Sequence, residues 1–249
     1  MAKRDRNITM KRSIIAVRHL VKTFDVGGEA LMALKGVNLD IPSGQFVSIM
    51  GPSGSGKSAL LYLFGGLDRP SNGDIRVVGD VVITLTSEAL AAFRSRTIGF
   101  VFQAFHLVPT LTAQENVGLP WIFLGLSRKE RDERAVQLLA ALGMADRADH
   151  RPSQLSSGQQ QRVAIARALF SQPSILMCDE PTGALDSKTG HTVMRLLRAL
   201  CDQQKKTVLV VIHDPSIAQY ADRMVLIKDG LIVDDYKTSV RKEPRNHVA

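Results

Sequence analysis

The sequence predicts an α/β protein with a mostly parallel sheet, an N-terminal antiparallel β subdomain and an inserted α-helical subdomain. Three observations support this prediction. Short apolar runs alternate with a helical pattern in the second half, strand-like segments stand near the N-terminus, and the middle has helix signals with few strand signals. The composition is that of a folded protein, because 45% of the 249 residues are hydrophobic and 22% are charged.

The N-terminal part is predicted to be β structure. Ile14–Leu20 and Val37–Ile41 alternate or run apolar, and Gly27-Gly28 marks a turn between them. Residues 42–44 (PSG) form a second turn. The apolar run at 46–50 (FVSIM) lies between this turn and a glycine-rich loop, so it is predicted to be a buried central strand.

Helix signals dominate from about residue 109 to residue 167. Thr112 with Glu115, and Ser127 with Glu130, have the spacing of capping boxes, which open helices. The second helix is predicted to end at Gly143, with an apolar face at Ala135, Leu138, Leu139 and Leu142. This part is therefore predicted to be a helical subdomain set into the α/β core.

The α/β pattern then resumes. The runs at 175–178 (ILMC) and 207–212 (TVLVVI) are predicted strands, and the helix between them has an apolar face at Val193, Leu196, Leu197 and Leu200. Cys178 falls in a strand and Cys201 near a helix end, so both are predicted to be core residues. Two cysteines exclude a disulfide framework and favour a reducing compartment.

The basic charge is concentrated at the ends of the chain. Of a net charge of +8, residues 1–12 carry +4 and residues 237–249 carry +3. A basic protein can bind nucleic acid, but the body of this one is nearly neutral. We instead expect both ends to fray and to be attracted weakly to an anionic membrane face. The apolar runs are shorter than the ~20 residues of a membrane span, so no span is predicted.

A complete phosphate-loop motif, GPSGSGKS, occupies residues 51–58. Its glycines let the backbone turn tightly and point N–H groups inward, and the helix that starts near Lys57 adds its positive N-terminal dipole. Lys57 can reach the β- and γ-phosphates, and the Ser58 hydroxyl can ligate Mg²⁺. Nucleotide contacts are therefore predicted at Gly51, Ser53, Gly54, Ser55, Gly56, Lys57, Ser58 and Ala59.

Two carboxylates follow the predicted strand at 175–178. Asp179 is expected to hold Mg²⁺ through water opposite Ser58, and Glu180 to polarise the water that attacks the γ-phosphate. Adjacent strand residues point to opposite sides, which would separate these roles. His213 and Gln103 also follow predicted strands, at the edge where open α/β sheets bind ligands. His213 could hydrogen-bond the γ-phosphate, although a lone histidine after a strand is more often structural.

The run LSSGQQQRVAIARAL at 155–169 resembles the signature motif of ABC transporter ATP-binding subunits. The motifs also follow the family's order, and the resemblance covers roughly residues 13–236. It implies an α/β P-loop NTPase (RecA-like) core within a single ABC ATPase domain, 1–249. The expected parts are a basic flexible N-terminus (1–12), the ATP-binding core (13–104 and 168–236), the helical subdomain with the signature (105–167) and a basic tail (237–249).

The resemblance assigns roles to further residues. Gln103 would contact Mg²⁺ and report to a membrane partner, and Asp186 would lie in a loop that crosses to a second copy of the chain. His213 would be the switch histidine, and Phe24 would stack on adenine, although an isolated phenylalanine after a strand is more often a core residue. The residues that would close on ATP held by the second copy, in a head-to-tail dimer, are Ser156, Ser157, Gly158 and Gln159.

Three residues depart from the family pattern. Ala59 stands where a threonine commonly follows the phosphate-loop serine, and Phe24 lacks the hydroxyl of the more usual tyrosine. Ser157 replaces the first glycine of the signature pair, which adds a side chain near the partner's ATP and restricts φ. None of these removes a metal ligand or Glu180, so the hypothesis is that hydrolysis is retained, with nucleotide affinity at most weakened.

Finer matches resemble the lipoprotein-release and macrolide-export group, among them GGLDRP at 65–70 and DEPTGALDSKTG at 179–190. They imply an ATPase subunit at the cytoplasmic face of the inner membrane, which drives an integral membrane partner in export or extraction. One alternative is a signalling subunit that regulates an extracytoplasmic cell-wall enzyme. Another is a soluble ABC ATPase acting on nucleic acid or ribosomes, but the chain lacks a long coiled coil or a second phosphate loop, and no nucleic-acid partner is expected. The residues that either dock the membrane partner or form the subdomain's own core are Leu107, Leu111, Trp121 and Phe123.

Overall fold

A computed structural model describes residues 13–238, apart from Leu124, Leu126 and the side chains of Ile122 and Phe123. The expectations for residues 1–12 and 239–249, and for the Phe123 side chain, lie outside the described residues. The strands are β1 (Ser13–Val26), β2 (Glu29–Pro42), β3 (Phe46–Met50), β4 (Asn72–Val77), β5 (Asp80–Val81), β6 (Ile98–Phe102), β7 (Ile175–Asp179), β8 (Thr207–Ile212), β9 (Arg223–Lys228) and β10 (Leu231–Lys237). The α-helices are α1 (Lys57–Phe64), α2 (Ser87–Thr97), α3 (Ala113–Gly118), α4 (Arg128–Ala141), α5 (Ser157–Leu169), α6 (Ser187–Gln204) and α7 (Pro215–Ala218).

The larger sheet has the strand order β10-β9-β3-β8-β7-β6. Its neighbours pair in parallel, except that β10 runs antiparallel to β9. The predicted mostly parallel sheet is therefore confirmed, and so is the central position of β3, which lies between β9 and β8 with its first four residues buried. Because the strands are parallel, the carboxyl ends of β3, β6, β7 and β8 share one edge.

The smaller sheet is antiparallel, with the order β2-β1-β4-β5. The predicted turn at Gly27-Gly28 joins β1 to β2, and both glycines have positive φ. Strand β4 was not expected, because its sequence NGDIRV begins with three turn-forming residues. It forms because β1 supplies its hydrogen-bond partners, with Ile15 opposite Val77 and Val17 opposite Ile75.

The core has two layers, one on each face of the parallel sheet. Val47 and Ile49 of β3 lie in the layer shared with α1 and the antiparallel sheet. Phe46 lies in the opposite layer with α5 and α6. Each of these side chains is 0% exposed, and such burial contributes about 1.5–3 kcal/mol per side chain. The alternation of side chains along β3 thus attaches helices and a second sheet to opposite faces.

The helical part contains α3, α4 and α5. Both predicted capping boxes are confirmed, with Thr112 capping α3 and Ser127 capping α4. Helix α4 ends before Gly143, whose φ is +67°, and α5 continues to Leu169, past the expected boundary at 167. Strand β10 likewise includes Lys237, which was expected to begin the tail.

Two further predictions concern side chains in the core. Cys178 and Cys201 are buried as predicted, and burial raises the pKa of both thiols, that of Cys201 to about 11. Leu107 and Trp121 are partly buried and pack against the core, and Leu111 is also partly buried. Docking of a membrane partner at these residues stays a prediction. Of the helices in the described residues, none combines the length and apolar character needed to cross a bilayer.

Candidate active site

Four predicted segments reach the same edge of the parallel sheet. The phosphate loop at 51–58 follows β3, and Gln103 follows β6. Asp179 is the last residue of β7, and His213 follows β8 directly. The parallel register of these strands therefore gathers groups that are far apart along the chain.

The phosphate loop approaches two other backbone segments too closely for side chains. A Cβ atom at Gly51 would lie 1.9 Å from the Ile227 carbonyl oxygen, and one at Gly56 would lie 2.4 Å from the Ala33 carbonyl oxygen. Gly56 also has φ +100°, which a side chain would disfavour. The loop is thus held between β9 and β2, and this contact requires glycine at both positions.

Inside this loop lie a buried cation and an unpaired hydroxyl. Lys57 is 5% exposed, and its Nζ donates to the Pro52 carbonyl oxygen at 2.7 Å. Burial lowers the pKa of Lys57, and the charges of Glu180 and Asp179 act in the opposite direction. The Ser55 Oγ is buried without a hydrogen-bond partner among the described residues. A buried ammonium group and an unpaired donor beside backbone N–H groups suit an anionic ligand.

Asp179 receives two hydroxyl donors. Ser58 Oγ donates to Oδ1 at 3.0 Å, and Tyr62 Oη donates to Oδ2 at 2.7 Å. Burial raises the pKa of Tyr62 to about 12, with further contributions from the hydrogen bond and charge of Asp179. Hydroxyl and carboxylate oxygens are hard ligands, and the described residues contain no group of three or more His, Cys, Asp or Glu that could hold a metal ion. This sparse oxygen set fits Mg²⁺, which keeps waters and phosphate oxygens as its other ligands.

Glu180 is oriented by a turn and not by a strand. Strand β7 ends at Asp179, and Glu180 has φ +50°, so the expectation that both are strand residues is wrong. The Glu180 N–H donates to the Val211 carbonyl oxygen at 3.1 Å, which ties this turn to β8. The Glu180 Oε1 is hydrogen-bonded to His213 Nε2. The left-handed conformation, rare outside glycine, thus aims this carboxylate at the histidine.

Gln103 lies against the segment that follows the carboxylates. A Cβ atom at Gly183 would be 2.7 Å from Gln103 Nε2, so the amide rests directly on this backbone. Asp186, three residues further along, is the N-cap of α6 and accepts a hydrogen bond from the Thr189 N–H at 3.0 Å. Hydrogen bonds from the Thr189 side chain and from its N–H lower the pKa of Asp186.

The predicted signature residues form the start of α5. Ser156 is the N-cap in a capping box with Gln159, and Ser157 is the first helical residue. The restriction of φ expected at Ser157 has no consequence here. Its φ is not positive, and a serine side chain is compatible with the helical conformation that this residue adopts. In the described part of the chain, no hydrogen bond joins these four residues to the phosphate loop, so they form a separate helix N-terminus. Gly158 packs directly on Thr189 of α6.

Phe24 and Ser53 lie at the surface. Phe24 is in β1 opposite Leu31, its side chain is 37% exposed, and Lys22 Nζ lies 4.7 Å from its ring centre. It is therefore not a core residue, and a ligand could reach its ring. Ser53 is exposed in the phosphate loop, and Ala59 is half-buried in the first turn of α1.

Comparison with known proteins identifies the family. The family model described as "ABC transporter" matches residues 34–183, which include the phosphate loop, the signature motif and both carboxylates. The chain belongs to the ABC transporter family. It is an ATPase of that family, and its fold is the mixed α/β P-loop NTPase fold of such cassettes.

Similar proteins include ATP-binding/permease proteins and ATP-binding proteins. The chain is 52% identical over 222 residues to the macrolide export ATP-binding/permease protein MacB of Brucella melitensis, covering 89% of this chain and 34% of MacB. It spans about a third of the length of such MacB relatives. It is 48% identical over 228 residues to the uncharacterized ABC transporter ATP-binding protein MJ0796 of Methanocaldococcus jannaschii, covering 90% of this chain and 97% of that protein.

A solved structure of the latter protein has a similar fold. It is the dimeric post-hydrolysis state of the ATP-binding cassette MJ0796 bound to ADP and Pi. Its TM-score is 0.84 at 46% sequence identity, and the match covers 92% of this chain and all of the other.

Three site contacts were not predicted from the sequence. Tyr62 contacts Asp179, Gln161 donates to the Pro181 carbonyl oxygen, and Arg167 donates to the Phe105 and His106 carbonyl oxygens. For Tyr62 a signal was available, because it stands four residues after Ser58 on one helix and therefore on the same face. Gln161 and Arg167 gave no comparable signal, because their partners are distant backbone carbonyls.

Proposed function

We propose that this chain is the ATP-hydrolysing subunit of an ABC transporter complex, in which ATP-driven closure of a head-to-tail dimer drives a membrane partner in export or extraction. The observation that carries the proposal is the meeting of three groups at one sheet edge. These are the phosphate loop with buried Lys57, the Asp179–Ser58 pair, and the Glu180–His213 pair. Together they provide an anion cradle, oxygen ligands and a base.

The phosphate loop would hold the phosphates of ATP. Its backbone N–H groups, the N-terminus of α1 and Lys57 all present positive charge to an anion. In the structure, Lys57 Nζ donates to the Pro52 carbonyl oxygen, and a phosphate would replace this neutral partner with a charged one. Phe24 would stack on adenine, since its ring is partly exposed on β1.

Glu180 would orient and polarise the attacking water. Its carboxylate lies 25% exposed at the site, and His213 Nε2 is hydrogen-bonded to one of its oxygens. That bond fixes the rotation of the carboxylate and leaves the second oxygen to accept a proton from water. His213 would thereby link the state of Glu180 to β8, the strand that it follows.

Asp179, Ser58 and Gln103 would hold Mg²⁺. When bound, Mg²⁺ supplies charge neutralisation at the phosphate oxygens. Asp179 contributes a carboxylate held by two donors, and Ser58 contributes a hydroxyl already directed at that carboxylate. Gln103 lies beside Gly183, and would connect this cation site to the helical part that follows β6.

A second copy of the chain would complete each ATP site. The start of α5, with Ser156, Ser157, Gly158 and Gln159, is a second helix N-terminus that can face an anion, yet within the described residues it has no hydrogen bond to the phosphate loop. A head-to-tail arrangement would give this helix the ATP of the other copy. The solved relative described as dimeric supports such self-association. Asp186, beside this helix, would lie at the same contact.

A membrane subunit would receive the motion. The MacB relatives are named ATP-binding/permease proteins, and the chain matches about a third of their length, so a partner could supply the permease part. The chain would then lie peripherally at the cytoplasmic face of the inner membrane. Purification from membranes, with identification of the attached polytopic protein, tests whether such a partner exists. If that protein binds a cell-wall hydrolase instead of exporting a substrate, the signalling alternative is favoured.

The catalytic proposal is tested by Glu180→Gln, with turnover measured in the presence of the membrane partner. The amide keeps the size of the side chain but cannot accept a proton, so Mg-dependent ATP turnover should be lost while ATP binding is retained. Asp229→Asn is a control for the loss of one negative charge, because Asp229 lies in the turn between β9 and β10. The proposal fails if the wild-type protein shows no Mg-dependent turnover above the Glu180→Gln variant.

A further inference from the structure

One face of α1 presents two hydroxyl groups to a single carboxylate. Ser58 and Tyr62 are four residues apart in this helix, so their side chains lie on the same face, one turn apart. Ser58 donates to Oδ1 of Asp179 at 3.0 Å, and Tyr62 donates to Oδ2 at 2.7 Å. Each oxygen of Asp179 therefore has its own donor, and these two bonds define the plane of the carboxylate.

The ring of Tyr62 is itself held in place. It lies edge-on to Phe102, with ring centres 6.5 Å apart and planes at 63°. Phe102 stacks on Phe100 at 5.6 Å and precedes Gln103. The Tyr62 hydroxyl is thus supported by the end of β6, and its contact with Asp179 does not depend on a freely rotating side chain.

Resting on the proposed function, we propose that Tyr62 is a positioning residue for the cation site: its hydroxyl holds Oδ2 of Asp179, so that Oδ1 stays directed at Ser58 and at the divalent cation of the bound nucleotide. Groups that hydrogen-bond a metal ligand orient it, and their loss typically costs about 10–100-fold in metal affinity. The phosphate loop does not include Tyr62, so nucleotide binding without a cation should not depend on it.

The test uses Tyr62→Phe, which removes the hydroxyl and keeps the ring against Phe102. Binding of Mn²⁺ to the full chain is followed by electron paramagnetic resonance with ADP present, and binding of ADP alone is measured in EDTA. We expect half-saturation to need roughly 10–100-fold more Mn²⁺, with the ADP affinity in EDTA unchanged. Tyr236→Phe is the matched control, because Tyr236 lies on β10 and its hydroxyl contacts Met224 Sδ of β9 at 3.3 Å. Its loss should leave the Mn²⁺ affinity unchanged.

Two results would overturn the inference. One is an unchanged Mn²⁺ affinity in Tyr62→Phe, and the other is an equal loss of ADP affinity with and without the cation, which indicates a structural role. Thermal unfolding of the variant checks that it is folded, and Tyr62→Leu, which also lacks the hydroxyl, provides a second test if Tyr62→Phe is unstable. If the wild-type chain shows no cation-dependent ADP binding, the proposed function fails, and not the role of Tyr62 alone.

Discussion

Gly158 lies where the first turn of α5 meets the first turn of α6. A Cβ atom there would lie 2.4 Å from Cγ2 of Thr189, whereas the next atoms, Thr189 Cβ and Oγ1, would lie at 3.7 and 3.9 Å. The clash is thus confined to one methyl group. Gly158→Ala should force α5 away from α6, and Thr189→Ser should remove the obstacle while keeping the N–H that bonds Asp186.

The two substitutions allow the cost to be worked out. Overpacking of this kind costs about 1–3 kcal/mol, and replacing glycine by alanine in a helix returns up to about 1 kcal/mol. Gly158→Ala alone should therefore lower the free energy of unfolding by about 0–2 kcal/mol. In the Thr189→Ser background the clash is absent, so the same change should be neutral or stabilising by up to about 1 kcal/mol.

A double-mutant cycle measures this coupling. Urea unfolding followed by circular dichroism on the four proteins should give an interaction energy of about 1–3 kcal/mol between positions 158 and 189. The cycle cancels the separate cost of losing the threonine methyl group. An interaction energy below about 0.5 kcal/mol would refute the reasoning, because additive effects indicate that the two helices are not in contact at this point.

Two further predictions concern the segment that follows Glu180 and the phosphate loop. Gln161→Met removes a 2.7 Å hydrogen bond to the Pro181 carbonyl, which destabilises the fold, and a buried Oε1 without a partner among the described residues, which stabilises it. Because the two effects oppose each other, the free energy of unfolding in urea should change by less than about 2 kcal/mol. ATP turnover should still fall, by up to about 100-fold, because the bond from Gln161 holds Pro181, the residue after Glu180, in place. Unchanged turnover would show that Gln161 does not position Glu180. Gly51→Ala should abolish nucleotide binding, because its Cβ would lie 1.9 Å from the Ile227 carbonyl oxygen. A Cβ at Gly54 would meet no atom within 4 Å, so Gly54→Ala should lose less nucleotide affinity. Equal losses in calorimetric titrations with ADP would contradict this explanation.

Much of the fold was predictable because its signals are local. The capping boxes at Thr112 and Ser127 are four-residue patterns, and each closes on its own helix. The apolar runs of β3 and β8 predict strands buried on both faces. Strand β4 was missed because its residues favour turns, and only pairing with β1 makes it a strand. Local patterns therefore predict elements with strong propensities, and long-range pairing decides the rest.

By itself, the sequence determined the chemistry of the site: a phosphate loop, two carboxylates and a signature helix, each defined by residue types at short spacing. Only the tertiary structure decided how these groups face one another. The left-handed φ of Glu180 aims its carboxylate at His213, and Tyr62 meets Asp179 across 117 positions of the chain. The physical reason is that motifs and element propensities depend on neighbours in the chain, whereas an unusual backbone conformation such as that of Glu180 and contacts between distant side chains depend on how sheets and helices pack.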